Sequence, residues 1–141
     1  MTFLLDTNVL SEPGRRRPHA AVVDWLQQQD AEQLFVSVLT LGEIAFGAEA
    51  RARRDPVAGR RFAAWLGMLR TNYGDRVLPI TGEIAESWGR LRGRRPLPVV
   101  DGLLAATALV HRLTLVTRNV RDFGGSGVRL LNPWLDDRQL R

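Results

Sequence analysis

Four acidic residues at wide spacing, Asp6, Glu43, Asp101 and Asp122, are the first candidates for chemistry. Asp6 ends the apolar run Phe3-Leu4-Leu5, which reads as a strand buried on both faces, and the turn-prone pair Thr7-Asn8 follows it. Open α/β sheets bind ligands beyond the carboxyl ends of their strands, so a carboxylate there is well placed to act. Glu43 sits off the apolar stripe of a helix that follows a second strand, Asp101 begins an apolar helix, and Asp122 lies in a loop after a fourth strand. In a parallel sheet these positions share one rim. Carboxylates gathered at one place repel one another unless a cation neutralises them. An all-oxygen set suits magnesium or manganese, held by one or two carboxylates, waters and a substrate phosphate. Such an ion orients a water and offsets charge on phosphorus, so the implied reaction is hydrolysis of a phosphodiester.

Each acid also has a purely structural reading. Asp6 fits an Asx turn, and Asp122 before Phe123-Gly124-Gly125 fits a turn former. Thr40-Leu41-Gly42-Glu43 matches a capping box, and Asp101 is a good helix cap. Their joint placement, rather than any one acid, favours chemistry.

The elements that must position them alternate. Leu34-Phe35-Val36 reads as a second strand, and Ser37 can cap a helix striped by Leu41, Ile44, Ala45 and Ala48. Asp55-Pro56 offers a cap and first-turn proline for a helix with core-spaced Phe62, Trp65, Leu66 and Leu69. Arg76 to Ile80 reads as a third strand, pushed towards an edge by Pro79, and Thr81 caps a helix striped by Ile84, Trp88 and Leu91. Gly102 to Arg112 is apolar nearly all round and must be central. Leu113 to Thr117 and Val128 to Leu131 complete the strands, while Ser11 to Pro18 reads as an exposed loop and 136–141 as a frayed tail. The expected fold is a single α/β domain over residues 1–141, with a mainly parallel twisted sheet of about four to five strands and helices on both faces.

Composition narrows the partners. The chain of 141 residues carries a formal charge of +5, and all 20 of its strongly basic residues are arginine, whose planar fork suits phosphate. Most arginines, such as Arg90, Arg92, Arg94 and Arg95, read as solvated faces, with a minority left for RNA phosphates. Without cysteine there is no disulfide, thiolate zinc site or cysteine nucleophile. No stretch approaches the ~18 apolar residues of a membrane span, and the first residues lack the basic flank of a secretion signal, so a cytoplasmic protein is expected. Trp25, Trp65 and Trp88 read as core, leaving Trp134 after Pro133 for base stacking or a dimer contact. His19 and His111 are too far apart in sequence to read as a paired-histidine ribonuclease centre and read as surface or packing residues.

Four stretches together resemble a known family: F-L-L-D-T-N-V-L from Phe3, S-V-L-T-L-G-E-I-A-F-G around Glu43, P-V-V-D-G-L-L-A-A-T-A around Asp101, and L-V-T-R-N-V-R-D-F near the end. They resemble the PIN-domain ribonucleases, and among them the VapC and FitB type toxins of bacterial toxin–antitoxin pairs. The resemblance implies that Asp6, Glu43 and Asp101 bind metal, with Asp122 as the fourth acid or sharing that place with Asn119 through water. It implies that Thr7, Asn8 and Thr117 orient the acids or a water. It further implies RNA cleavage with Mg2+ or Mn2+, a homodimer, and a small antitoxin that lays a segment over the acidic rim.

Two other classes compete. A phosphatase with an aspartyl nucleophile would use Asp6, but the usual second aspartate is replaced by Asn8 and no lysine is present to steady a phospho-aspartate. The missing lysine also excludes P-loop chemistry. A non-enzymatic module, FitB-like or otherwise, would bind nucleic acid or a partner through its arginines and use the acids only as caps.

Overall fold

The computed structural model describes residues 1–135; the tail expected to fray, 136–141, lies outside the described residues. Five short parallel strands form one sheet in the order β3-β2-β1-β4-β5. They are β1 (Phe3–Leu5), β2 (Leu34–Ser37), β3 (Val77–Leu78), β4 (Thr114–Val116) and β5 (Leu130–Leu131). The central strand β1 sets Phe3 beside Leu34 on one side and beside Thr114 on the other. The chain leaves β1 towards β2 and β3, then returns to lay β4 on the opposite side of β1. The resulting switch in direction opens a crevice at the carboxyl ends of β1 and β4. The edge expected for the Pro79 strand is where β3 lies.

Side-chain alternation on β1 divides the core. Leu4 and Leu115 face one layer with Leu91 of α5 (Gly82–Arg94) and Leu104, Ala105 and Ala108 of α6 (Val99–His111). Phe3, Leu5, Val36 and Val116 face the other, with Val9 of α1 (Thr7–Ser11) and Val22 of α2 (Ala20–Gln28). Helices therefore cover both faces of the sheet, which is why β1 is apolar throughout rather than alternating. The remaining helices, α3 (Val38–Ala52) and α4 (Pro56–Tyr73), pair with each other as an antiparallel hairpin. Gly59 of α4 makes that approach possible, because a Cβ there would lie 2.7 Å from the Cα of Ala52.

The caps read from sequence form as expected. Ser37 accepts from the Leu39 N–H, Asp55 from those of Val57 and Ala58, and Thr81 from that of Ile84. Each such cap contributes about 1 kcal/mol to its helix.

Several local expectations are corrected. Thr7-Asn8 is the first turn of α1, not an open turn, because Asp6 caps that helix with both its side chain and its carbonyl. Helix α6 starts at Val99 with Pro98 as its cap residue, so Asp101 lies within the first turn instead of capping it. Thr40 does not open a capping box: α3 starts at Val38, and Thr40 lies buried in its first turn. Ser11 to Pro18 is not wholly exposed either. Ser11 ends α1, a single 3-10 turn follows over Glu12–Gly14, and Glu12 is only 5% exposed. Trp25 packs on the core against Phe3 while half-buried, whereas Trp65 and Trp88 are half-buried and join neither core layer. Trp65 lines a surface groove with Phe62, Arg51 and Arg61, since α4 packs on α3 and meets the sheet layers only near its far end.

Candidate functional site

The crevice at the switch point is built from the first residue beyond β1 and the first beyond β4. Asp6 has an extended backbone that turns directly into α1, and its N–H donates to the Val116 carbonyl at 3.0 Å. Its carboxylate accepts at both oxygens: Oδ1 from the Thr7 N–H at 2.7 Å, and Oδ2 from the Thr117 hydroxyl at 2.8 Å. Thr117 is fully buried, and its oxygen accepts in turn from the Asn119 N–H at 3.1 Å. One hydroxyl thus fixes the Asp6 side chain and the first turn of the loop that carries Asn119 and Asp122.

Glu43 projects from α3 towards the same rim. Its Oε1 accepts from the Thr7 hydroxyl at 3.1 Å, so Thr7 holds Asp6 through its backbone and Glu43 through its side chain. The Glu43 carboxyl is raised above its ordinary value, foremost by desolvation, against the lowering effect of the Thr7 hydrogen bond, and then by the charges of Asp6 and Asp101. Asp101, half-buried in the first turn of α6, is raised by desolvation and by the charges of Asp6 and Asp122. Because Asp6 acts on both Glu43 and Asp101, and Asp122 on Asp101, the four acids share one electrostatic neighbourhood despite their sequence separation.

Asp122 is exposed in a 3-10 turn over Val120–Phe123 that Phe123 anchors in the core. Its N–H donates to the Asn119 carbonyl at 3.1 Å, so the two candidates for the fourth position belong to one turn. Arg95, at the end of α5, donates to the Gly124 carbonyl at 2.9 Å and ties that turn to the segment before α6. Asn8 keeps its side-chain oxygen buried without a hydrogen-bond partner among the described residues, as does the Thr40 hydroxyl.

The carboxylates interact, but among the described residues no three acid or histidine side chains stand close enough to grip one ion. Oxygen-only donors that disfavour one another's charge fit a partly hydrated magnesium or manganese ion, which keeps several waters and needs only one or two carboxylates.

Sequence reasoning missed the burial of two polar residues, one on the turn that follows α1 and one on the helix that carries Glu43. Glu12 accepts from the His19 N–H at 3.0 Å and pairs with Arg15 at 3.6 Å, tying together the two ends of the arginine-rich loop. Its neighbours Pro13, Gly14 and Arg15 are all of exposed type, so nothing local marked it. Thr40 reads in the sequence only as a possible cap, and its position one turn before Glu43 is the signal available there.

A five-stranded all-parallel sheet with acids at its switch point is a PIN architecture, and the PIN domain family matches residues 3–123; the chain belongs to that family. It is similar to the toxin FitB of Neisseria gonorrhoeae, at 32% identity over 95% of this chain and 99% of the relative. The crystal structure of FitAcB from the same organism superposes with a TM-score of 0.88 at 30% identity, covering 94% of this chain and 99% of that one. A VapC ribonuclease of Sinorhizobium fredii is 31% identical over 94% of this chain and 97% of its own. A toxin–antitoxin complex from Klebsiella pneumoniae gives a TM-score of 0.70 at 28% identity, covering 94% and 98%. No helix among the described residues is long and apolar enough to cross a membrane.

Proposed function

We propose that this chain is a metal-dependent endoribonuclease that acts as the toxin of a toxin–antitoxin pair, with magnesium as its ion and manganese as a substitute. The observation that carries this reading is the joining of Asp6 and Glu43 through Thr7 on one rim, with Asp101 and Asp122 in the same electrostatic neighbourhood. Carboxylates gathered on one rim disfavour one another's charge, and a divalent cation relieves that. The relatives named toxin and VapC ribonuclease support it.

In this reading Asp6, Glu43 and Asp101 hold the ion, and Asp122 or Asn119 completes the set. When bound, the ion orients a water and offsets charge on the phosphate. The remaining work belongs to the chain. Thr117 and Thr7 lock the Asp6 carboxylate between an O–H and an N–H donor, so its direction does not depend on the substrate. Thr7 fixes Glu43 through Oε1 and leaves Oε2 for the site.

A toxin kept in the cell that makes it needs restraint, and the toxin–antitoxin complex among the similar structures supports a small antitoxin as partner. The family resemblance adds a homodimer. The test is cleavage of RNA by the purified chain with magnesium or manganese, compared with Asp6→Asn. Loss of cleavage with an intact fold is expected; equal cleavage by Asp6→Asn sinks the assignment.

A second reading has one observation in its favour. Among the described residues the acids do not form a ready cage, and Asp6 caps α1, which suits a FitB-like binding module. Calorimetric titration with manganese separates the two, since caps alone give no specific divalent site.

A further inference from the structure

Beside the acidic rim lies a cleft of about 700 Å³ with the opposite charge, lined by Glu12, Arg15, Arg16, Arg17, Arg118 and Trp134 along with Pro18, His19 and Ala20. Four guanidinium groups face it against one carboxylate. Glu12 is buried and committed to Arg15 and to the His19 N–H, so it cannot neutralise the other three. Arg16 and Arg17 have no carboxylate partner among the described residues. The wall they form is held in place by Glu12, which joins the loop's two ends.

The opposite wall is equally fixed. Arg118 follows Thr117, the residue that holds Asp6, and its guanidinium lies 5.3 Å from the centre of the Trp134 ring. Asn132 links the pair, donating to the Arg118 carbonyl at 3.3 Å and accepting from the Trp134 N–H at 3.0 Å. Trp134 packs against the core that contains Leu5 and Val116. Both walls begin at the crevice: Arg118 leaves β4 there, and the Glu12 turn follows α1, whose five residues span about 7 Å from the Asp6 cap.

We propose that this cleft holds the backbone of single-stranded RNA next to the bond being cut, with Arg16, Arg17 and Arg118 on phosphates and Trp134 as a stacking face for one base. The proposal rests on the ribonuclease reading and adds the groove that delivers the strand. The rim would engage only the phosphate being cut, so the rest of the strand must be held elsewhere on the surface, and this cleft lies within reach. Guanidinium forks suit phosphate, and an aromatic face accepts any base, which together make a sequence-tolerant single-strand groove. Four arginines line the cleft against one committed carboxylate, which favours a polyanion over the apolar face of a helical protein segment as the occupant.

The experiment measures binding of a fluorescein-labelled 12-nucleotide RNA to Asp6→Asn protein by anisotropy, from 50 to 300 mM salt with magnesium present. Adding Arg16→Ala, Arg17→Ala and Arg118→Ala together is expected to weaken binding about tenfold or more at 0.1 M salt. It should also flatten the slope of log affinity against log salt by about 2, the amount for three lost contacts to a single strand. Trp134→Ala is expected to weaken binding about fivefold or more, with Trp134→Phe restoring most of it and circular dichroism reporting the fold. Arg90→Ala, Arg92→Ala and Arg94→Ala together, all exposed on α5, match the loss of three charges and should leave the slope close to the parent's. Parent affinity and slope in the triple variant overturn the proposal. So does a triple variant that keeps RNA binding but loses a fluorescent acidic peptide, which gives the cleft to a protein. If the unmodified chain fails to cleave RNA while the arginine variants still lose binding, the cleft stands and the ribonuclease reading falls. Cleavage with unaltered binding in the triple variant gives the reverse.

Discussion

The hydroxyl of Thr117 donates to Asp6 Oδ2 at 2.8 Å, joining residues 111 positions apart at the ends of adjacent strands β4 and β1. The bond locks the carboxylate closest to the switch point and, through the Asn119 N–H, the loop beside it. Thr117→Val keeps the shape of a fully buried side chain but removes the donor and the acceptor together. Leaving the Asn119 N–H and one Asp6 oxygen without their partner is expected to cost about 1–3 kcal/mol. Thermal unfolding reads that loss, and RNA cleavage should fall about tenfold or more because Asp6 keeps only its Thr7 bond. A variant as stable and as active as the parent shows that the hydroxyl positions nothing.

The raised carboxyls set a pH dependence whose sign is fixed. Glu43 and Asp101 both ionise with more difficulty in the folded chain than in the unfolded one. Their contribution to stability is therefore complete below the unfolded value and is lost as pH rises through the folded one. In metal-free buffer Glu43→Gln should gain stability relative to the parent between pH 4 and pH 7, with Tm as the readout. Adding magnesium at pH 7 should raise the parent's Tm more than the variant's. A Tm difference that stays constant across that pH range removes the electrostatic cost on which the metal reading is built.

What could be read from the sequence was what local rules decide. The caps at Ser37, Asp55 and Thr81 and the buried strand ahead of Asp6 need only their neighbours in sequence, and they appear in the fold. Alternation of strands and helices gave the parallel sheet, and with it the shared rim. The errors lie where a distant contact outweighs a local preference. Thr7-Asn8 turns into a helix because Asp6 is itself a cap, held by both Thr7 and Thr117. Glu12 is buried because His19, seven residues on, returns to it. Trp65 has core spacing, yet α4 stands on α3, so its stripe meets a helix and a groove more than the sheet.

Gly59 offers a test in which two general effects oppose. Alanine is about 1 kcal/mol better than glycine inside a helix. Here the added methyl would meet the Ala52 Cβ at 2.6 Å and the Ala52 backbone at 2.7 Å, atoms that cannot swing aside as a long side chain does. Overpacking of this kind costs about 1–3 kcal/mol, so the clash wins and Gly59→Ala should lower Tm. The α3–α4 pairing would have to shift, and Glu43 rides on α3, so some loss of RNA cleavage should accompany it. A rise in Tm means that the two helices separate freely at that point.

Glu12→Ala tests whether the arginine loop is held by its buried carboxylate or by its two prolines. The variant leaves the His19 N–H unpartnered and frees Arg15, at an expected cost of about 1–3 kcal/mol. Arg15 and Arg16 are exposed, so trypsin reports directly on how often the loop opens. Cleavage after these residues should run several times faster in the variant than in the parent under native conditions, while sites inside packed helices keep their order. Glu12→Gln separates charge from hydrogen bonding, since its amide oxygen can still accept from His19 although the ion pair is gone. Slow digestion of Glu12→Gln beside fast digestion of Glu12→Ala assigns the restraint to the hydrogen bond. Equal, parent-like rates in both leave the prolines as the brace.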